Sequence, residues 1–134
     1  MNPSWVISAA KFLKAVQVSD SGIARSQVEG PATLYGTCYA NLALKYLGID
    51  VQVKDELKNF LISAQDNDSG LMIGPELIGF IADPGVMHDR EHLIMHLTCA
   101  ALPFCQDHSI ILPKPILAAH RYVDQDFMSQ WMKE

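Results

Sequence analysis

Apolar residues recur near the start of the chain at Trp5, Ala9, Phe12 and Val16, in steps of four, three and four. Such steps return to one face of a helix of 3.6 residues per turn and predict an amphipathic helix over residues 3–17. Val53, Leu57, Phe60 and Ala64 repeat the spacing and predict another over 53–65. Each series runs into a polar segment, Asp20-Ser21-Gly22 or Asp68-Ser69-Gly70, where glycine tolerates a positive φ and stops the helix. A second kind of segment follows each of these. Ala32 to Leu47, between Gly30-Pro31 and Gly48, has Leu34, Tyr35, Cys38, Tyr39, Leu42 and Tyr46 on more than one face. The other begins at Asp83-Pro84, an N-cap followed by proline at the first helical position, and is expected to run to about Leu102, before Pro103.

A helix that is apolar nearly all round must be covered on both sides, whereas one with a single stripe can face water. The order is therefore an outer helix followed by an inner one, twice. Ile116, Ala119, Val123, Phe127 and Trp131 predict a further helix over 115–133, as the outer member of a third pair.

The two copies match in residues as well as in period. Phe12-Leu13-x3-Gln17-x4-Gly22 returns as Phe60-Leu61-x3-Gln65-x4-Gly70, every position displaced by 48. Repeat units of approximately 3–48, 53–103 and 115–134 follow, in an all-α chain of about five main helices. A length of 134 residues suits one domain, 1–134. With its inner partner missing from the third pair, that domain is expected to be incomplete.

Composition narrows the partners. With 49% apolar and 19% charged residues the chain has the balance of a folded globular protein. Its net charge of -5 and scattered Lys and Arg argue against nucleic-acid binding. No apolar stretch reaches the roughly 18 residues of a membrane span, and Met1 to Gln17 lacks the features of a secretory signal, so a cytoplasmic protein is expected. Cys38, Cys99 and Cys105 form no CxxC, and the first two, in apolar surroundings, are read as packed thiols.

Phe12, Gln17 and Gly22, with Phe60, Gln65 and Gly70, resemble the QW-type repeat of the terpenoid cyclases and protein prenyltransferases. That resemblance implies an α/α toroid built of helical hairpins, of which this chain would supply less than half. It also implies that each Gln ties the end of an outer helix to the start of its neighbour, a task suited to an amide that can satisfy unpaired helix-end groups. Two departures stand out: the Trp expected after the Gly is Ala24 in one copy and Met72 in the other. The proton-donating DxDD of the cyclases is reduced to Asp66-Asn67-Asp68, read here as a turn. No residues match the Asp, Cys and His zinc ligands of the prenyltransferases. Neither activity is carried over, no cofactor is expected, and the catalytic residues are unassigned.

Candidate chemistry lies on the inner helices. In a toroid they line the central cavity, which nominates Tyr35, Tyr39, Asn41, His88 and His92 as cavity-lining residues. His88, His92 and His96 stand four residues apart, a spacing at which two imidazoles share a metal, but no HExxH accompanies them. Cavity lining and ordinary helix surface remain open for them. Three functions fit: a segment of a cyclase-like toroid, non-catalytic alone and completed by a parent chain or by self-association; part of a polysaccharide-acting toroid enzyme using Tyr39, Asn41 and His92; or a helical-repeat module that binds another protein.

Overall fold

The structure is a computed structural model that describes residues 3–49, 52–77, 90–116 and 125–133. Its helices are α1 (Ser4–Val16), α2 (Leu34–Tyr46), α3 (Asp55–Ser63), α4 (Arg90–Asp107) and α5 (Gln125–Trp131). Among the described residues there is no strand, only isolated bridges, so the fold is all-α. None of the described helices is long and apolar enough to cross a membrane.

Local chemistry sets the ends of these helices. At the start of α2 the Thr33 hydroxyl accepts from the Gly36 amide at 2.8 Å. The Glu76 carboxylate, from a distant segment, accepts from the Leu34 and Tyr35 amides, each at 2.9 Å. Three amides that a helix start leaves unpaired are thereby satisfied, and a negative charge faces the positive end of the helix dipole. Gly48, at φ 73°, ends α2, and the Ile49 amide turns back to the Leu44 carbonyl at 2.9 Å. Asp55 and Glu56 occupy the first turn of α3, where the same dipole favours them.

A tight hairpin follows α1, and a second follows α3. In the first, Val18 donates to the Ile23 carbonyl and Arg25 to the Val16 carbonyl, both at 2.8 Å. In the second, Asp66 donates to Leu71 at 2.8 Å and Ile73 to Ala64 at 2.6 Å. Single bridges join Gln17 to Ala24 and Gln65 to Met72. The left-handed positions at the tips are Gly22 (φ 92°) and Gly70 (φ 74°), conformations open to glycine at little cost. A threonine of the next long helix receives each hairpin: Ala24 donates to Thr37 Oγ1 at 3.1 Å and Met72 to Thr98 Oγ1 at 3.0 Å.

The main core is shared by α2, α3 and α4 and includes Leu34, Cys38, Leu57, Leu61, Met72, Leu97, Ala101, Phe104 and Cys105. A smaller cluster of Val16, Ala24 and Ala40 joins α1 to α2.

Several expectations change. Of the α1 series only Val16 is buried, with Trp5 65% and Phe12 50% exposed. The reason lies in what covers each helix: α1 is packed at its C-terminal end against α2, whereas α3 has Leu57 set against the hairpin tip at Gly22 and both Leu57 and Leu61 buried. α4 does not stop before Pro103 but continues to Asp107. Proline there removes the bond to the Cys99 carbonyl, yet Cys99 and Pro103 lie on the exposed side of the helix, and Phe104 and Cys105 beyond them are anchored in the core. Pro115 and Ile116 are not helical, so the last helix does not begin at 115; residues 117–124 of that expected helix, and 83–89 of the second inner helix, lie outside the described residues. Cys99 is exposed rather than packed, while Cys105 is buried.

Candidate groove between helices α2 and α4

Helix α2 presents Tyr35, Tyr39, Leu42 and Tyr46 at steps of four, three and four, so one face carries all of them. Tyr39, Leu42 and Tyr46 are exposed, although the sequence places them on a helix apolar enough to be covered. Tyr35 and Tyr39 stack with centroids 5.8 Å apart and planes at 13°. The Tyr35 hydroxyl lies 2.5 Å from His96 Nδ1 on α4. Burial, then the neighbouring Tyr39 and Glu76, push the Tyr35 phenol above its ordinary range. A neutral phenol can both donate and accept, so the roles in the bond to His96 follow the imidazole tautomer.

Further along the same pair of helices is a hollow of about 190 Å³. Tyr39, Leu42, Cys99, Pro103 and Phe104 line it, together with the buried Cys38 and Asn41. One end is charged. Lys45 Nζ reaches Asp107 Oδ2 at 2.7 Å, and the His108 ring lies 4.5 Å from that of Phe104. Hydrogen bonding to Lys45, then its charge, holds the Asp107 carboxyl below its usual range, and His108 adds to this. Burial pushes the Cys38 thiol up to about 12, so it stays protonated and inert.

The expected site residues separate in part. Tyr35 and Tyr39 do come together on one face, joined by His96, which belonged to the histidine series but not to the nominated set. Asn41 is 2% exposed, and its amide donates to the Gly22 and Thr37 carbonyls, both at 2.7 Å. Its nitrogen thus braces the first hairpin, while its Oδ1 is buried without a hydrogen-bond partner among the described residues, and Asn41 lines the same hollow as Tyr39. The His92 backbone lies within α4, but its side chain, like all of His88, is outside the described residues. Among the described residues no group of His, Cys, Asp and Glu could hold a metal ion. Asp66 Oδ2 accepts from the Ser69 amide and hydroxyl at 2.8 and 2.7 Å, which is the turn expected of that segment.

The two glutamines of the motif also differ. Gln65 is 6% exposed; its Nε2 donates to the Gly70 carbonyl at 2.8 Å and to the Lys114 carbonyl at 2.7 Å, and its Oε1 accepts from the Lys114 amide at 3.0 Å. It thus fastens the second hairpin to the segment leading toward the last helix. Gln17 has no side-chain hydrogen-bond partner among the described residues. Sequence reasoning missed Glu76, Lys45, Asp107 and the threonine pair. Only the last had a signal, in the matching dipeptides Thr37-Cys38 and Thr98-Cys99. In comparisons with known protein families, with curated protein sequences and with solved structures, the chain has no match.

Proposed function

We propose that the chain is a segment of an α/α toroid of the terpenoid cyclase and protein prenyltransferase kind, a helical-hairpin scaffold that is not catalytic alone. The observation that carries this reading is the return, after 48 residues, of one complete hairpin: the same bridge, the same pair of backbone bonds, a left-handed glycine and a threonine receptor. In support, Gln65 holds the chain ahead of the next helix, the role the resemblance implies for it. In this reading α2 and α4 are neighbouring inner helices, and α1, α3 and α5 are outer ones. The second unit differs by an insertion, since donor and threonine are 13 residues apart in the first and 26 in the second.

A toroid segment leaves apolar faces for its missing neighbours, and Trp5 and Phe12, seven residues apart and exposed on one side of α1, are such a face. Completion by a parent chain or by self-association follows, in a soluble cytoplasmic setting without nucleic acid. The test is sedimentation of the purified chain across a concentration series, together with its thermal melt. Concentration-dependent association, reduced by Trp5→Ser with Phe12→Ser, is expected. A monodisperse, cooperatively melting monomer at every concentration overturns the reading.

A further inference from the structure

We infer that the groove between α1 and the end of α2 docks an acidic amphipathic helix of a partner protein, its apolar face along α1 and its carboxylates at Lys11 and Lys14. This inference goes beyond the scaffold reading and does not depend on it, because it stands on one groove and its charge.

The groove is a surface hollow of about 430 Å³. Its apolar lining comes from Val6, Ile7 and Ala10 on α1 and from Leu47 and Ile49, just after the last turn of α2. None of these side chains is buried, and Ile7 is 62% exposed. A pocket for a small molecule encloses most of its ligand's surface, whereas a hollow with no buried wall is covered by a longer body laid across it. Length agrees: Val6 to Lys14 covers about 12 Å at about 1.5 Å per residue, a little over two helical turns. Ala10 ends at its Cβ and leaves room there for a partner leucine.

Charge selects the partner. Lys11 and Lys14 are the charged residues that line the groove, and neither forms an ion pair among the described residues. Standing three apart, they are neighbours on the helix surface. Neither α1 nor α2 contains an Asp or Glu. The first acidic residue after α1 is Asp20, already held by Lys54, and the first after α2 is Asp50, outside the described residues. Positive charge without a partner thus stands beside apolar surface, and an acidic helix with one apolar stripe complements both. A flat anionic membrane would also meet the rest of a chain of net charge -5, which repels it, whereas a helix seated in the groove meets the two lysines. Trp5 and Phe12 belong to another side of α1, since Ile7 is two residues from Trp5 and residues so spaced do not face each other.

The experiment measures, by fluorescence anisotropy, binding of the purified chain to a labelled helical peptide of about 15 residues with leucines at i, i+3, i+4 and i+7 flanked by glutamates. One companion peptide has lysines in place of the glutamates, and another has the same residues in scrambled order. Saturable binding of the acidic peptide alone is expected, weakening as salt is raised. Lys11→Ala with Lys14→Ala should weaken it about fivefold, the scale of two exposed ion pairs. Lys114→Ala with Lys133→Ala makes the same change of net charge at exposed residues that do not line the groove, and should leave affinity within about twofold. Ile7→Ser should weaken binding about tenfold, and Trp5→Ser with Phe12→Ser should leave it unchanged, with circular dichroism confirming the fold of each variant. Equal affinity for the acidic and the lysine peptide, or an equal loss in the two lysine pairs, overturns the charge selection and with it the proposal. Loss of binding in Trp5→Ser with Phe12→Ser moves the site to the other side of α1 and overturns it too. So does the absence of saturable peptide binding, whether or not the chain partitions onto phosphatidylserine vesicles.

Discussion

Replacing Gln65 with alanine removes three hydrogen bonds at once, at 2.7, 2.8 and 3.0 Å, from a side chain that is 6% exposed. A net contribution of about 1 kcal/mol each gives about 3 kcal/mol. Two corrections act in opposite directions. Gly70 is buried, so its carbonyl keeps an unpaired acceptor and adds to the cost. Lys114 is exposed, so its amide and carbonyl recover water and subtract from it. The expected loss is about 2–4 kcal/mol, a large share of the roughly 5–15 kcal/mol of a typical domain. Urea unfolding followed by circular dichroism measures it, and hydrogen exchange at the Lys114 amide locates it. Gln17→Ala is the control; with no side-chain partner among the described residues, it should cost no more than about 0.5 kcal/mol, as other surface changes do. Gln65→Glu should be at least as damaging as alanine at neutral pH, because it sets a carboxylate against two carbonyl oxygens. Equal stability of Gln65→Ala and Gln17→Ala, or a neutral Gln65→Glu, would refute the clamp.

Other outcomes follow from the same contacts. Gly70→Ala would place a Cβ 2.1 Å from the Pro115 carbonyl oxygen, whereas Gly48→Ala meets nothing within 4 Å; both have positive φ. Chemical denaturation should therefore show about 1–2 kcal/mol of lost stability at Gly48, from backbone strain alone, and a clearly larger loss at Gly70. Glu76→Ala should lower stability by about 1–2 kcal/mol by uncapping α2, most visibly as faster exchange of the Leu34 and Tyr35 amides. Thiol titration of the native chain should show rapid reaction at Cys99 and slow reaction at Cys38 and Cys105 until the protein unfolds. Because Cys38 is raised from 9.0 to about 12, its neutral form is favoured in the fold; that contribution is complete below pH 9 and is lost as pH rises from 9 toward 12, giving an alkaline fall in melting temperature that Cys38→Ala lessens.

Period and motif together made much of the local structure legible. Residues 4–16, 34–46 and 55–63 are helical where the apolar spacing placed helices, and each glycine of the motif occupies the left-handed position expected of a helix stop. What the pattern did not convey was coverage. Trp5 and Phe12 have the spacing of a buried face, but spacing states only that side chains share a face, and a face is buried by a neighbour that must also be present. Pro103 misled for a related reason: the local rule against proline within a helix was outweighed by the anchoring of Phe104 and Cys105 further on. At the groove, the aromatic row on α2 could be read directly, whereas the Tyr35 to His96 and Lys45 to Asp107 pairs span 61 and 62 residues and carry no trace in spacing.

The two hairpins show why one copy of a motif can be structurally richer than the other without losing its shape. Backbone bonds from Val18 and Arg25, or from Asp66 and Ile73, close each hairpin without help from the glutamine. The tip carbonyl is then served by whichever amide is in reach: Asn41 for Gly22, Gln65 for Gly70. Because Asn41 satisfies the first tip, Gln17 is released from that duty, while Gln65 must hold its own tip and can also reach Lys114. An exchange of partners between the copies follows directly: giving the second helix of unit two an amide at the position matching Asn41, by Leu102→Asn four residues after Thr98, should partly rescue Gln65→Ala, as Asn41 already does for the tip at Gly22. Recovery of less than about 0.5 kcal/mol in the double variant relative to Gln65→Ala would mean that the two hairpins, though alike in backbone, stand differently against their receiving helices.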